Sequence, residues 1–402
     1  MQIFYFSTAL SDQIYNEIVH RCKRFKPTYS GVGFDRNVAV GLSEIADITG
    51  VSLFPIPSYP KYSKLKQGTR DYSEKCFNCH VPAIVSLPII KEFCFAFSAF
   101  LYVIKKKKKN EKQVVLVSGL YRSLLRPAGW LKKWFGMTVV AIVPDLPELM
   151  ITYRQDYSGV RAMFNKMDMQ ISMQFRQCVD GFVELSRYME PFANPEGKPY
   201  ALMDGLCDLS VLERIEAKPM LKGRFVLYAG KVSSTFGVDK LTTAFLEAEL
   251  NNCSLVVCGD GDYVPELRKI AKKNSNIIFL GVQPHEYVVG LEKGAMLLVE
   301  PRPSDTEIAK MSFPSKIIEY MASGTPVLVT NIPSIGDEYK EYQYRIEDES
   351  VEGLAAALKE VLNLPLDELR AKGNAAKEFI LKNKTIGHQC WKVFDLIQNI
   401  AQ

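Results

Sequence analysis

The chain has 402 residues, 47% of them apolar and 24% charged, a composition that fits a folded globular protein and excludes a disordered or fibrous one. One hydrophobic core does not organise that many residues, so two domains are expected. A formal net charge of +5 is too small to argue for a nucleic-acid-binding face, and nine cysteines scattered through apolar and helical contexts read as reduced thiols of a reducing, cytoplasmic compartment.

The N-terminal Met1-Gln-Ile-Phe-Tyr-Phe lacks a basic leader region and a cleavage site, and reads as a first buried strand. Strand and helix patterns then alternate, the signature of α/β layers with parallel sheets. In the first half, strands are expected at 3–7, 51–55, 114–118, 139–143, 181–185 and 200–202, and helices at 38–48, 88–105, 123–135 and 160–178. Ser30-Gly-Val-Gly-Phe-Asp reads as a Gly-rich loop before the first helix. There Gly31 and Gly33 would let the backbone approach a ligand, or form a plain loop. Cys76-Phe-Asn-Cys79-His80 has the spacing of a haem attachment site, but it stands alone, with neither an axial partner nor a second ligand pair for zinc.

The apolar run 93–104 holds twelve residues, too few to span about 30 Å of hydrocarbon, and is expected to form a helix that is buried or lies at an interface. Lys105, Lys106, Lys107, Lys108 and Lys109 follow it directly, and Trp130, Lys132, Lys133 and Trp134 come soon after. Basic charge beside aromatic anchors suits peripheral contact with an anionic membrane; a solvated loop and a core helix are the alternative. Asp145, in Val143-Pro-Asp-Leu-Pro, follows a strand end, where side chains that act on substrates collect.

A polar stretch at 208–223 reads as a linker, and a second α/β half follows it. Its strands are expected at 225–228, 255–257, 277–280, 295–299, 327–329 and 344–346, with helices at 240–249, 264–273, 285–293, 315–323 and 351–362. The domains expected are 1–215 and 216–384, with a last helix over 385–402, carrying Trp391 and Phe394, docking back on the first. Two facing parallel-sheet domains would bind ligands at the carboxyl ends of their strands.

The segment from Glu300 to Thr330 is the most informative. Ile317, Ile318, Met321 and Ala322 give helix 315–323 a packing side; Pro314 suits its first position and Gly324 its stop. The amides of Ser315 and Lys316 would then form an anion site, with Glu319 one turn below, roughly 6 Å along the axis. Phosphates at the amides and ribose hydroxyls at the carboxylate describe a nucleotide. Arg302 in Glu300-Pro-Arg-Pro would clamp a diphosphate. Tyr228-Ala-Gly230-Lys231 closes a strand and runs through small residues to Gly237, either a phosphate-accepting loop or an ordinary turn. No Walker-type loop, Gly-x-Ser-x-Gly or His-Glu-x-x-His occurs, so the usual ATPase, serine hydrolase and zinc protease motifs are missing.

These segments, with Val256-Val-Cys-Gly-Asp-Gly261, Ile277-Ile-Phe-Leu-Gly281 and Phe313-Pro-Ser-Lys-Ile-Ile-Glu-Tyr-Met-Ala-Ser-Gly-Thr-Pro-Val327, resemble the retaining glycosyltransferases of family 4, which have the GT-B fold of two facing Rossmann-like domains. The Phe-Pro-Ser-Lys-x-x-Glu-Tyr form resembles a branch that builds surface polysaccharides. The resemblance implies that Glu319 holds the donor ribose and that the Ser315 and Lys316 amides meet the diphosphate. It implies that Lys231, Arg302 and Lys316 neutralise that diphosphate, and that Gly281 and Val282 edge the base. A nucleotide sugar would be the donor substrate, with neither cofactor nor metal, and a glycan or lipid-linked acceptor would enter through the first domain. Two departures stand out. Met311 occupies the place of an expected acid, leaving Glu307 as the nearest upstream carboxylate, and Phe236 replaces a lysine before Gly237. They leave open a sugar-nucleotide epimerase or an inactive sugar-nucleotide-binding partner.

Overall fold

The computed structural model describes residues 1–23, 29–147, 170, 173–215 and 223–401. The chain divides into two compact units, Met1–Met203 with Ile386–Gln402, and Asp204–Thr385. The division therefore falls before 215. Residues 204–215 belong to the second unit because Lys293 donates to the carbonyls of Leu212 and Ile215, each at 2.6 Å, and the Cys207 amide to that of Lys384 at 2.8 Å.

In the first unit the strands are β1 (Gln2–Ser7), β2 (Asp47–Ser52), β3 (Lys66–Gln67), β4 (Arg70–Glu74), β5 (Phe77–Val81), β6 (Ile84–Val85), β7 (Gln113–Ser118), β8 (Thr138–Val143), β9 (Gly181–Glu184) and β10 (Tyr200–Leu202). Its helices include α1 (Asp12–Arg21), α2 (Tyr29–Ser43), α3 (Ile90–Lys106), α4 (Arg122–Phe135) and α5 (Glu190–Ala193). The described residues form an eight-stranded sheet in the order β10-β9-β8-β7-β1-β2-β5-β4, parallel except for β4, while β3 and β6 pair separately. β1 is buried along its whole length, as a central parallel strand covered on both faces must be.

Gly31 and Gly33 lie inside α2, not in a loop. Val32, Val38, Ala39 and Leu42 are buried at helical spacing, and that packing carries the helix back through both glycines. Asp35, also on α2, is buried and accepts from the Thr8 amide and hydroxyl at 2.7 Å each, from the Tyr5 hydroxyl at 3.2 Å and from Ser118. It ties together the ends of β1 and β7, where the strand order reverses. Helix 160–178 falls largely outside the described residues. The Cys76–His80 segment forms the β4–β5 turn and the start of β5, where His80 stacks on Tyr102 and bonds Asp71 at 2.6 Å. Among the described residues no group of three metal-ligating side chains occurs, and no helix is long and apolar enough to cross a membrane.

The second unit contains α6 (Leu209–Arg214), β11 (Arg224–Lys231), α7 (Val238–Glu247), β12 (Cys253–Asp260), α8 (Val264–Lys273), β13 (Ile277–Gly281), α9 (His285–Gly294), β14 (Leu297–Glu300), α10 (Glu307–Met311), α11 (Ser315–Ser323), β15 (Val327–Thr330), β16 (Tyr344–Ile346), α12 (Val351–Leu362) and α13 (Leu366–Asn383). Its described strands form one parallel sheet in the order β13-β12-β11-β14-β15-β16. This is the doubly wound order, whose direction of winding switches between β11 and β14. One core cluster covers a face of this sheet, from Val226 and Leu255 to Leu354 and Leu358. The last helix, α14 (Ile386–Ile400), packs on α2 of the first unit. A Cβ at Gly41 would collide with Ile386 and Cys390, so the glycine is what lets the two helices approach.

Candidate functional site

The carboxyl ends of β11 and β14 carry the first group of residues. Lys231 ends β11, after Gly230, and the Tyr228 hydroxyl donates to the Lys231 carbonyl at 2.8 Å. A single 3-10 turn, Ser234–Phe236, then leads into Gly237, whose φ is +74°. A Cβ there would strike the carbonyl oxygen of Pro301, so this glycine is needed both for its conformation and for close approach. The loop after β11 is thereby pressed onto the loop after β14. As a result Phe236 meets both cations of the pair, with Lys231 Nζ 5.6 Å and Arg302 Cζ 4.9 Å from its ring centroid. The ring that replaces an expected lysine therefore gathers the remaining positive charge by cation–π attraction.

The two cations differ in freedom. Arg302 is buried; it donates to the Ser312 carbonyl at 3.2 Å, and its Nε lies 3.6 Å from Glu300. Burial pushes the Glu300 carboxyl up and Arg302 opposes it. Lys231 is exposed and enters no ion pair among the described residues. Gly237→Ala is expected to lower stability by about 2 kcal/mol, the cost of a left-handed alanine together with displacing a neighbour. A thermal melt checks this, and an unchanged midpoint would contradict the close approach.

The second group lies on α11. The helix begins at Ser315, as expected, and Pro314, with ψ of 92°, serves as its cap and not as its first helical residue. No side chain caps this end, so the amides of Ser315 and Lys316 open the helix unblocked. Ile317, Ile318, Met321 and Ala322 are buried, and Gly324 ends the helix at φ +85°. Tyr320 fixes the helix against β11: its hydroxyl accepts from the Ala229 amide at 2.7 Å and donates to the Ala229 carbonyl at 3.2 Å.

Glu319 accepts from Lys316 at 2.8 Å and sits 3.1 Å from His285 Nε2. Lys316 also reaches Glu292 on α9 at 3.4 Å, and Glu292 is fully buried with its second oxygen unpartnered. Burial raises the Glu319 carboxyl, but Lys316 and then His285 outweigh it and hold the group far below the usual carboxylate range. Glu292 moves the other way, pushed well up by burial and then by the Glu319 charge. Lys316, despite burial, is held above its ordinary value by Glu319 and Glu292. The arrangement favours the ionised form of Glu319 and disfavours ionisation of Glu292 beside it. It also commits the Lys316 ammonium to carboxylates, so the charge that residue was expected to offer a diphosphate is already engaged.

The other expected residues are spread out. Gly281 ends β13 at φ +68°, and Val282 beyond it is 73% exposed. Glu307 stands in the first turn of α10, exposed and paired with Lys310 at 3.1 Å, while Met311 is buried. Asp145 follows β8, and Gly31 and Gly33 lie on α2, all in the first unit. His285 and Glu292 were missed by sequence reasoning. A signal existed for Glu292: with Val288 and Val289 it follows one core-facing stripe, where an acid is anomalous, while His285 at the exposed start of the helix carries no such mark.

Residues 213–379, most of the second unit, match the family described as Glycosyl transferases group 1. No curated protein matches the sequence. Among solved structures, the chain is similar to a sucrose-phosphate synthase from Thermosynechococcus elongatus, at 13% identity and TM-score 0.70, covering 100% of this chain and 99% of that one. It is also similar to Anabaena HepE in complex with UDP, at 9% identity and TM-score 0.64, covering 99% and 100%. A third is WaaG, a glycosyltransferase involved in lipopolysaccharide biosynthesis, at 12% identity and TM-score 0.60, covering 99% of each chain. These likenesses establish the fold as GT-B, with two Rossmann-like domains.

Proposed function

We propose that the chain is a glycosyltransferase that moves a sugar, with retention at the anomeric carbon, from a nucleotide-diphosphate donor to a glycan or lipid-linked acceptor. The observation that carries this reading is an ionised Glu319 one turn below an uncapped helix start, inside a group 1 glycosyltransferase domain. In this reading Glu319 binds the donor ribose, and the Ser315 and Lys316 amides take the diphosphate. Lys231, with Arg302 behind it on the Phe236 ring, meets the charge that develops as the diphosphate leaves. Those groups serve in place of a metal ion. Gly281 and the exposed Val282 edge the base. A donor phosphate oxygen takes the acceptor proton. Work on surface polysaccharide at the inner face of a membrane, through the basic and aromatic surface that includes Lys105, Trp130 and Trp134, completes the reading.

A thermal-shift panel with UDP, GDP, dTDP and CMP tests the donor site. A ligand at 100 times its Kd adds about 2.7 kcal/mol to stability. One nucleoside diphosphate is expected to stand out, and no shift with any of them would defeat the proposal. The buried Met311 favours a second reading, a non-catalytic sugar-nucleotide-binding protein. Transfer to any acceptor, or slow hydrolysis of the donor, rules that out. NMR of the donor alone would reveal an epimerase.

A further inference from the structure

Helix α3 buries Phe95, Ala96, Ala99, Phe100 and Val103, and packs on α4, where Phe100 meets the rings of Trp130 and Trp134 edge-on at 5.9 and 5.3 Å. Its opposite side is also apolar. Phe93, Phe97 and Leu101 recur every four residues and are 49%, 59% and 48% exposed, and Ile89 and Ile90 continue the row toward the helix start. Trp134, on the neighbouring helix, is 64% exposed. A soluble surface seldom gathers so many large apolar side chains in one row.

The surroundings of the row are basic. Four residues beyond Leu101 comes Lys105, the first of five consecutive lysines. Arg126 lies 4.3 Å over the Phe93 ring and Lys107 lies 4.4 Å over Phe135. The nearby acids are already paired: Glu92 with Arg122, and Asp47 and Glu111 with Lys108. The helix runs about 12 Å from Phe93 to Leu101, at 1.5 Å per residue. Its two faces suit it to lie in a surface, with one side held by the protein and the other by hydrocarbon.

We infer that the outer face of α3 is a membrane-docking surface that seats Phe93, Phe97 and Leu101 among the acyl chains of an anionic bilayer, with Lys105, Lys106 and Lys109 on its headgroups. This deepens the membrane part of the proposed function but does not depend on the transfer reaction. The occupant is chosen by charge complementarity: an apolar row ending in uncompensated lysines matches an interface with acidic lipid headgroups above hydrocarbon.

Flotation of the full chain with vesicles of one part phosphatidylglycerol to two parts phosphatidylcholine tests this. Wild type is expected to bind these vesicles, to leave pure phosphatidylcholine, and to release at high salt. The Phe97→Glu, Leu101→Glu double variant should lose at least about tenfold in partitioning. These side chains are exposed, so its melting midpoint should match wild type. A Phe97→Trp variant should be quenched by brominated acyl chains. Absence of wild-type binding, or binding that the double variant leaves unchanged, overturns the inference. So does a dimer in solution that Phe97→Glu converts to monomer, since the face would then belong to a second copy.

Discussion

Glu319→Ala is expected to weaken nucleoside diphosphate binding by about 1.5–3 kcal/mol, roughly 10- to 150-fold, the scale of hydrogen bonds to a charged group. The effect should be large because the site spends structure on keeping this carboxylate ionised. Lys316 and His285 both bond it, and burial together with the Glu319 charge disfavours ionisation of Glu292, the other acid in reach. The fold should survive the change. Without Glu319, the Glu292 carboxyl loses the like charge that raises it and keeps Lys316 beside it, so its ionisation becomes easier. Glu319→Gln, which accepts a hydrogen bond but carries no charge, should fall between wild type and alanine. Because the folded-state pKa of Glu319 is depressed, its contribution is present above the unfolded value of about 4.3 and disappears as pH falls through the folded one. Isothermal calorimetry at neutral pH reads the difference directly. Unchanged affinity for every nucleoside diphosphate would remove Glu319 from the ribose, and the proposed donor site with it.

How much of this was legible beforehand depended on the range of the contacts. Helix 315–323 was read with both ends in place because periodic apolar residues, a proline and a glycine all act within one or two turns. The six strands of the second sheet were found because buried parallel strands are short apolar runs. The β4–β5 hairpin was missed, since Arg70–Glu74 is polar and lies at the sheet edge, where no continuous apolar run is needed. The helix Leu366–Asn383 was missed as well; its sequence is strongly charged and buries only a narrow side. The glycines of α2 were read as a loop because intrinsic propensity was allowed to outweigh the buried stripe that follows them. Within the site, Lys316 and Glu319 are neighbours in sequence and were found. Glu292 and His285 reach them from 24 and 34 residues away, a pairing set by how α9 packs on α11. The cation–π role of Phe236 was also out of reach, since it depends on a backbone contact between two loops.

Lys384→Met is expected to cost the second unit about 3–5 kcal/mol, the range for breaking a buried ion pair. Lys384 is 1% exposed, and its ammonium lies 2.8 Å from each carboxylate oxygen of Asp204 and 2.7 Å from Glu338. Its three protons are thus fully used, and the Tyr339 ring lies 4.8 Å from the charge. Tyr339 in turn donates to the Asp204 carbonyl at 2.6 Å. The pair joins the residue at which the chain enters this unit to the one just before it leaves, so it closes the unit on itself. Methionine fills a similar volume but strips the cation from a buried carboxylate, and the penalty is mainly electrostatic. At roughly 2–4 °C per kcal/mol, the corresponding melting transition should fall by about 6–20 °C. Adding Asp204→Leu should recover much of the loss, because an apolar pair in place of a buried ion pair is often neutral. A deficit that persists in the double variant would assign the effect to packing instead. Lys384 is hydrogen-bonded to none of Lys231, Lys316 or Glu319, so nucleoside diphosphate affinity measured well below the midpoint should stay close to wild type. That is the reverse of Glu319→Ala, which should lose affinity and keep the fold, and the contrast separates the residues that hold the unit together from those that hold its ligand.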